Sequence, residues 1–332
     1  MAAYPFTIED YSSDLDPSPK VILQPGNWVM PNGFRPVAEK IYNMEVREDD
    51  IWLLSWPKTG TTWISEMIWT LCHDSDTELA KTIPHFKRWA FPENDSMWAD
   101  FSDYLRMQLS DGVPFPKEVV HQLESDSFED ADKMEGPRFV RSHLPICMLP
   151  PNLLDTCKCI YMLRNPMDTC VSFYHFMKTV ADVEIDIGMY INQFVADEAY
   201  FSPLWAHVKE AWQKRSHPNM MFLYYEELQK DLPASIRKVS KFLNRPVTEE
   251  QVEKLTTHLH IDNMRQNPMI NMDEMKATGR LRPDAMFLRK GVVGDWKNNL
   301  TPKMEMQLIN WWNNNMRDCD IRFPGIQLKS RF

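Results

Sequence analysis

Glycine is scarce in this chain. Only 10 of 332 residues are glycine, against 24 prolines, so stiff loops are expected. Basic charge is in deficit as well: 47 acidic residues outnumber 37 Lys and Arg, for a formal net charge of −10. Such a chain is a poor general binder of nucleic acid or of an anionic membrane. A polyanion would need a local concentration of cations. No apolar run approaches the roughly 18 residues of a membrane-spanning helix. The opening MAAYPFTIEDYSSDLDPSPK is acidic and interrupted by proline, which does not match a secretion signal. The cysteines Cys72, Cys147, Cys157, Cys159, Cys170 and Cys319 form no CxxC pair, and no histidine cluster stands at zinc spacing. Buried free thiols in a reducing cytosol are the expectation, without metal. The sequons Asn94-Asp95-Ser96 and Asn299-Leu300-Thr301 read as chance matches.

Apolar residues make up 43% of the chain, enough for one large core or two modest ones. Short apolar runs over residues 50–56, Lys158–Leu163 and Met220–Tyr224, with a weaker one over 139–141, read as buried strands. Helical patterns follow them over Thr61–Cys72, 168–176 and 233–243, then over 248–259 behind a Thr-x-x-Gln capping box and over 301–317 behind Thr-Pro. Strands alternating with helices predict an α/β fold: a parallel sheet flanked by helices. No compositional shift marks a boundary. One domain is expected over residues 34–332, behind a proline-punctuated N-terminal arm over residues 1–33. Residues 84–116 and 262–287 read as excursions from the sheet.

The stretch SWPKTGTTW, residues 55–63, joins a strand, a tight turn and a helix start, which are the parts of an anion site. Gly60 lets the backbone approach a ligand, Thr59, Thr61 and Thr62 add hydroxyls, and Lys58 adds charge. It is not a Walker A loop, because Lys58 precedes the only glycine. The strand Lys158–Leu163 runs into Arg164 rather than an acidic metal ligand. A phosphate-bearing ligand neutralised by side chains, without metal, fits both facts. RKGVVGDWKN, residues 289–298, is a second cation-plus-glycine segment through Arg289, Lys290 and Gly291. Two separate phosphate sites suggest a nucleoside bisphosphate. In RFVRSHLP, residues 138–145, His143 follows a strand end, where ligand crevices of parallel sheets lie. A strand-turn-helix without ligand, a solvated basic bend and a structural histidine are the plain alternatives for the three segments taken singly.

WPKTGTTW, RSHLP, YMLRNPMDTCVSFYHF and RKGVVGDWKN together resemble the cytosolic sulfotransferases over nearly the whole chain. These use 3′-phosphoadenosine 5′-phosphosulfate (PAPS) and release 3′-phosphoadenosine 5′-phosphate (PAP). The resemblance implies a P-loop-kinase-like topology and a small-molecule transferase of the cytoplasm. By motif it implies Lys58, Thr59, Gly60, Thr61 and Thr62 around the 5′-phosphosulfate and Trp63 on adenine. It implies Arg164, Ser172, Arg289, Lys290 and Gly291 at the 3′-phosphate, Tyr225 in the nucleotide pocket, and His143 as catalytic base. The family pattern is departed from at three places. Arg141 stands where a Lys usually precedes the base, Ile261 stands where an aromatic usually faces adenine, and the dimer motif over Lys297, Thr301, Pro302 and Met306 loses two positions. A homodimer is still compatible with the resemblance, but through a segment whose dimer motif is degraded.

The implied reaction is sulfonate transfer to the hydroxyl of a small apolar acceptor (a phenol, sterol or alcohol), with His143, Lys58 and Arg141 at the reacting atoms. Trp89, Phe91, Phe176 and Phe287 are the candidate acceptor walls. A nucleotide kinase or NTPase predicts magnesium-dependent ATP turnover instead, and a non-catalytic nucleotide-binding protein predicts none.

Overall fold

In a computed structural model of the chain, describing residues 3–97, 126–179, 183–270 and 288–325 with Ser110 and Lys276, the centre is a four-stranded parallel sheet. Its strands are β4 (Ile51–Ser55), β5 (Phe139–Ser142), β6 (Lys158–Leu163) and β7 (Met220–Tyr224), in the order β5-β4-β6-β7. The sequence IWLLS of β4 is buried throughout, because helices cover both faces of the sheet. Side chains alternate with period two. Trp52, Leu54, Tyr161 and Leu163 enter one core layer, and Ile51, Leu53, Ile160 and Met162 enter the other. This is the expected α/β class.

Helix α1 (Thr61–Cys72) covers the second layer through Ile64, Ile68 and Leu71. Helix α2 (Pro166–Thr179) covers the first layer, joined there by α3 (Ile187–Val195) and α4 (Leu204–Gln213). After β7 come α5 (Tyr225–Lys230), α6 (Leu232–Phe242), α7 (Glu249–His258) and α8 (Ile261–Gln266). The Thr248 capping box on α7 is present with both of its bonds. Helix α9 (Pro302–Asn315) starts from Thr301, whose hydroxyl caps the Met304 N–H.

The N-terminal segment differs from the expected surface arm. Residues Thr7–Ser13 (β1), Asp16–Gln24 (β2) and Trp28–Pro31 (β3) form an antiparallel sheet. Val21, Leu23, Trp28 and Met30 are fully inside the first core layer. In β2 Val21 and Leu23 are buried and Ile22 half-buried, while all four residues of β3 are buried; in the sequence these are short apolar pieces set between prolines. Among the described residues the cysteines are all unpaired; Cys157, Cys159 and Cys170 are buried. No helix among the described residues is long and apolar enough to cross a membrane.

Candidate functional site

The parallel register sets Ser55 beside Met162, Leu54 beside Ser142 and Leu163 beside Tyr224. The segments that leave these strands therefore meet at one edge of the sheet, which is where ligands of such folds bind. Residues 55–60 leave β4 in a turn whose Lys58 has φ +66° and whose Gly60 has φ +109°. A Cβ at Gly60 would stand 2.7 Å from Tyr225 Cδ2, so backbone geometry and close packing both require glycine. The Thr59 hydroxyl donates to Trp56 O at 2.9 Å, and Ser55 Oγ meets Thr61 Oγ1 at 2.8 Å. These hydroxyls brace the turn. The N–H groups at the start of α1 carry its anion-attracting end.

Trp63, on the first turn of α1, donates from Nε1 to Leu259 O at 2.9 Å and meets Tyr225 edge-on at 5.4 Å. The Arg164 guanidinium lies 4.3 Å over the Tyr225 ring. Its Nη1 donates to Lys58 O at 3.0 Å, its Nη2 reaches Val292 O at 3.4 Å, and its buried Nε has no partner. Arg164 thus ties the first cationic segment to the second. Gly291, at φ +67°, lies against Ile261, whose Cγ1 would be 2.7 Å from an added Cβ. Ile261 therefore borders the second segment through aliphatic contact.

Two buried carboxylates organise that second segment, and neither was singled out from the sequence. Asp168, in the first turn of α2, accepts the N–H groups of Gly294 at 2.7 Å and Trp296 at 3.1 Å. Ser172 lies one turn further along α2, on the same face. Asp295 pairs with Arg289 at 2.7 Å and Lys290 at 2.8 Å. Burial pushes its carboxyl up, but hydrogen bonds from Lys290, Arg289 and Asn298 outweigh this and hold it well below the usual range. Arg265 adds a bond from Nε to Leu288 O at 3.1 Å.

His143 follows β5 directly. Its Nδ1 lies 2.8 Å from Ser55 O. A carbonyl only accepts, so Nδ1 carries the proton and Nε2 keeps the lone pair. Burial lowers its pKa to about 3, with Arg141, His207 and Lys58 adding to burial and the Ser55 bond opposing it. The ring is therefore neutral at neutral pH. The rings of Phe91 and Phe201 meet it edge-on at 5.3 Å and 5.8 Å. Arg141 places its guanidinium 4.9 Å from the Phe91 ring centre. Lys58 Nζ is 4.5 Å from the Phe176 ring centre. Burial first, then Arg164 and Arg289, bring the Lys58 amine down to about 7.

Phe91 and Phe176 thus border His143 and Lys58. Trp89 does not: it is buried against Phe139 at 5.5 Å in the second core layer. Residues 89–91 run alongside β5, with Ala90 bridged to Val140, so Trp89 lies two residues, about 7 Å, short of the ligand edge. Phe287 lies outside the described residues. Phe201 was not foreseen. Its N–H donates to Val29 O at 2.7 Å and its carbonyl accepts from Trp56 Nε1 at 2.9 Å, fixing a left-handed φ of +67°. The N-terminal sheet therefore braces the wall beside His143. Among the described residues no cluster of three or more His, Cys, Asp or Glu would hold a metal.

Residues 48–320 match the sulfotransferase domain family. Sulfotransferase 1B1 of Canis lupus familiaris is 30% identical over 266 residues, covering 79% of this chain and 82% of its own. A crystal structure of retinol dehydratase with androsterone and inactive cofactor PAP superposes with a TM-score of 0.87 at 28% identity, over 97% of this chain and 99% of that one. A second, of retinol dehydratase with retinol and PAP, gives 0.84 at 29% identity over the same shares.

Proposed function

We propose, from the premise that the chain belongs to the sulfotransferase family, that this PAPS-dependent enzyme sulfonates the hydroxyl of a small apolar acceptor in the cytoplasm. The observation that carries the reading is the bond from His143 Nδ1–H to Ser55 O. It ties a neutral, proton-accepting ring to the residue from which the anion-binding turn departs.

The residues suit the donor. A 3′,5′-bisphosphate needs cations at two points, and Arg164 links the Lys58 turn to the Arg289–Lys290 segment while keeping an unpartnered Nε. Trp63 and Tyr225 offer aromatic surface between them, with Ile261 as the aliphatic edge. Bound PAPS supplies the sulfonate group. His143 Nε2 takes the acceptor hydroxyl proton as that oxygen attacks sulfur. Lys58 and the N–H groups of the turn stabilise charge growing on the departing 5′-phosphate. Arg141 lines the approach to His143 as a cation over Phe91. Phe91, Phe176 and Phe201 give the acceptor side an aromatic character. Androsterone and retinol, named with the structural relatives, are apolar alcohols of the proposed class.

Labelled PAPS offered with phenols, sterols and primary alcohols, in the presence of EDTA, tests the reading. Transfer of label to at least one alcohol or phenol is expected. No transfer, or magnesium-dependent ATP turnover in its place, overturns it. Loss of water from the acceptor is a second reading, favoured by the superposition on retinol dehydratase. Mass analysis separates a sulfate ester from a dehydrated product.

Arg164 gives a further expectation. The wild type binds PAP much more tightly than adenosine 5′-phosphate, and Arg164→Ala erases most of that preference. A charge-assisted contact is worth about 1.5–3 kcal/mol, or roughly ten- to a hundredfold in affinity. Calorimetry with the two nucleotides measures it. Equal wild-type affinities refute the 3′-phosphate assignment.

A further inference from the structure

His143 stands one residue past the last pair between β4 and β5, Leu54 with Ser142. Its peptide therefore lacks the ladder bonds that would fix a strand residue, and buried side chains replace them. The His143 N–H donates to Glu93 Oε1 at 2.6 Å. Ser142 Oγ donates to the same oxygen at 2.8 Å and accepts the Leu144 N–H at 3.0 Å. On the other side, the His143 carbonyl accepts from His207 Nε2–H at 3.0 Å. A carbonyl only accepts, so the His207 proton is on Nε2 and its Nδ1 accepts from the Tyr161 hydroxyl at 2.6 Å. Glu93, His207 and Tyr161 are fully buried.

These groups are costly to bury. Glu93 Oε2 has no partner, and the nearby Arg141 Nε has none. Burial pushes the Glu93 carboxyl up to about 7, against its hydrogen bonds, and pushes the His207 ring down to about 4. A buried polar group left half-satisfied lowers stability. Apolar side chains would fill the same space at lower cost. What the polar groups add is direction. Each bonds the peptide of one residue, and that residue presents Nε2 to the acceptor.

We propose that Glu93 and His207 are positioning residues that grip the His143 peptide from both sides, Glu93 through its N–H and His207 through its C=O. The inference rests on His143 acting as the base. With Nδ1 held by Ser55 O, the ring and its own backbone are fixed at three points, so Nε2 keeps one line toward the acceptor oxygen. Glu93 also follows Phe91 by two residues, so the same contact holds an acceptor wall in register with the base. Misplacement of a reacting group by about 1 Å costs on the order of a hundredfold in rate.

The test uses the full chain with a simple alkyl alcohol and with a nitrophenol. The nitrophenol is already ionised at the assay pH and needs no base. Glu93→Ala and His207→Phe are expected to lower kcat for the alkyl alcohol by roughly ten- to a hundredfold, leaving PAP affinity within a few-fold. Glu93→Gln, which keeps the accepting Oε1, recovers most of that loss. The nitrophenol reaction falls much less in each variant. Added to His143→Ala, neither substitution lowers turnover further, because groups that act through one residue are not additive. Tyr161→Phe removes only the hydroxyl that fixes His207 and guards against misfolding of the larger changes; a several-fold loss of kcat is expected. Full alkyl-alcohol turnover in Glu93→Ala, His207→Phe or Tyr161→Phe overturns the proposal, as do losses that multiply with His143→Ala. Normal turnover of His143→Ala alone would instead remove the base beneath it.

Discussion

His143→Ala lowers turnover of an alkyl alcohol by roughly two to four orders of magnitude, the usual worth of a general base. PAP affinity stays within a few-fold of wild type. The split follows from geometry. The ring belongs to the segment leaving β5, next to Phe91 and Phe201, while the cations proposed for the nucleotide lie on the β4 turn, after β6 and on residues 289–290. His143 reaches the turn through Ser55, with Nδ1 2.8 Å from its carbonyl and 3.3 Å from its hydroxyl, and that hydroxyl keeps its own bond to Thr61 Oγ1 when the ring is removed. Truncating the ring therefore leaves the anion site intact. Protonation does not compete with the base role, because burial and the neighbouring cations hold its pKa at about 3. Steady-state rates and PAP calorimetry on the same preparation check the prediction. Near-normal turnover would remove His143 from the chemistry, and an equal loss of nucleotide affinity would make its role structural.

Much of this architecture was legible in the chain, for reasons that also set the limits. The runs in β4, β6 and β7 could be read because strands buried on both faces need no alternation, only continuous apolar sequence between turns. The site segments could be read because Lys58, Gly60, Arg289 and Gly291 combine residue types that few other demands bring together. The N-terminal sheet was not legible because its apolar pieces, Val21-Ile22-Leu23 and Trp28-Val29-Met30, are three residues long, show no alternation and stand between prolines. Trp89 was grouped with Phe91 because aromatic composition carries no depth. Two residues along an edge separate a packed indole from a ring that meets His143. Glu93, His207 and Asp168 escaped for another reason. Each owes its role to partners 50, 64 and 126 residues away, and a lone Glu, His or Asp reads equally well as surface. Asp168 even stood in plain view within RNPMD, where an acid in the first turn of a helix has a sufficient local explanation in the helix dipole.

Lys58→Met is expected to lower turnover about a hundred- to a thousandfold, the scale seen when a donor to developing charge is removed, and to weaken PAP binding by much less. Charge on the departing oxygen is largest in the transition state, so an ammonium group beside it counts most there. In the protein alone the amine lies over the Phe176 ring, and burial followed by Arg164 and Arg289 brings it down to about 7. The 5′-phosphate of PAP is a dianion above a pKa near 6, and its charge favours the protonated amine. The ligand therefore prefers protonated Lys58, and binding above pH 7 must take up a proton. PAP affinity is highest below pH 7. It falls as pH rises above 7, by up to about tenfold per unit, until the pKa of the complex is reached. Calorimetry at pH 8 in two buffers of different ionisation enthalpy should show an uptake approaching one proton, lost in Lys58→Met. Affinity that stays flat from pH 6.5 to 8.5 refutes the coupling. Uptake that survives in the Met variant assigns it to another group; His175, lowered by burial near Arg289 and Lys290, is the first to replace.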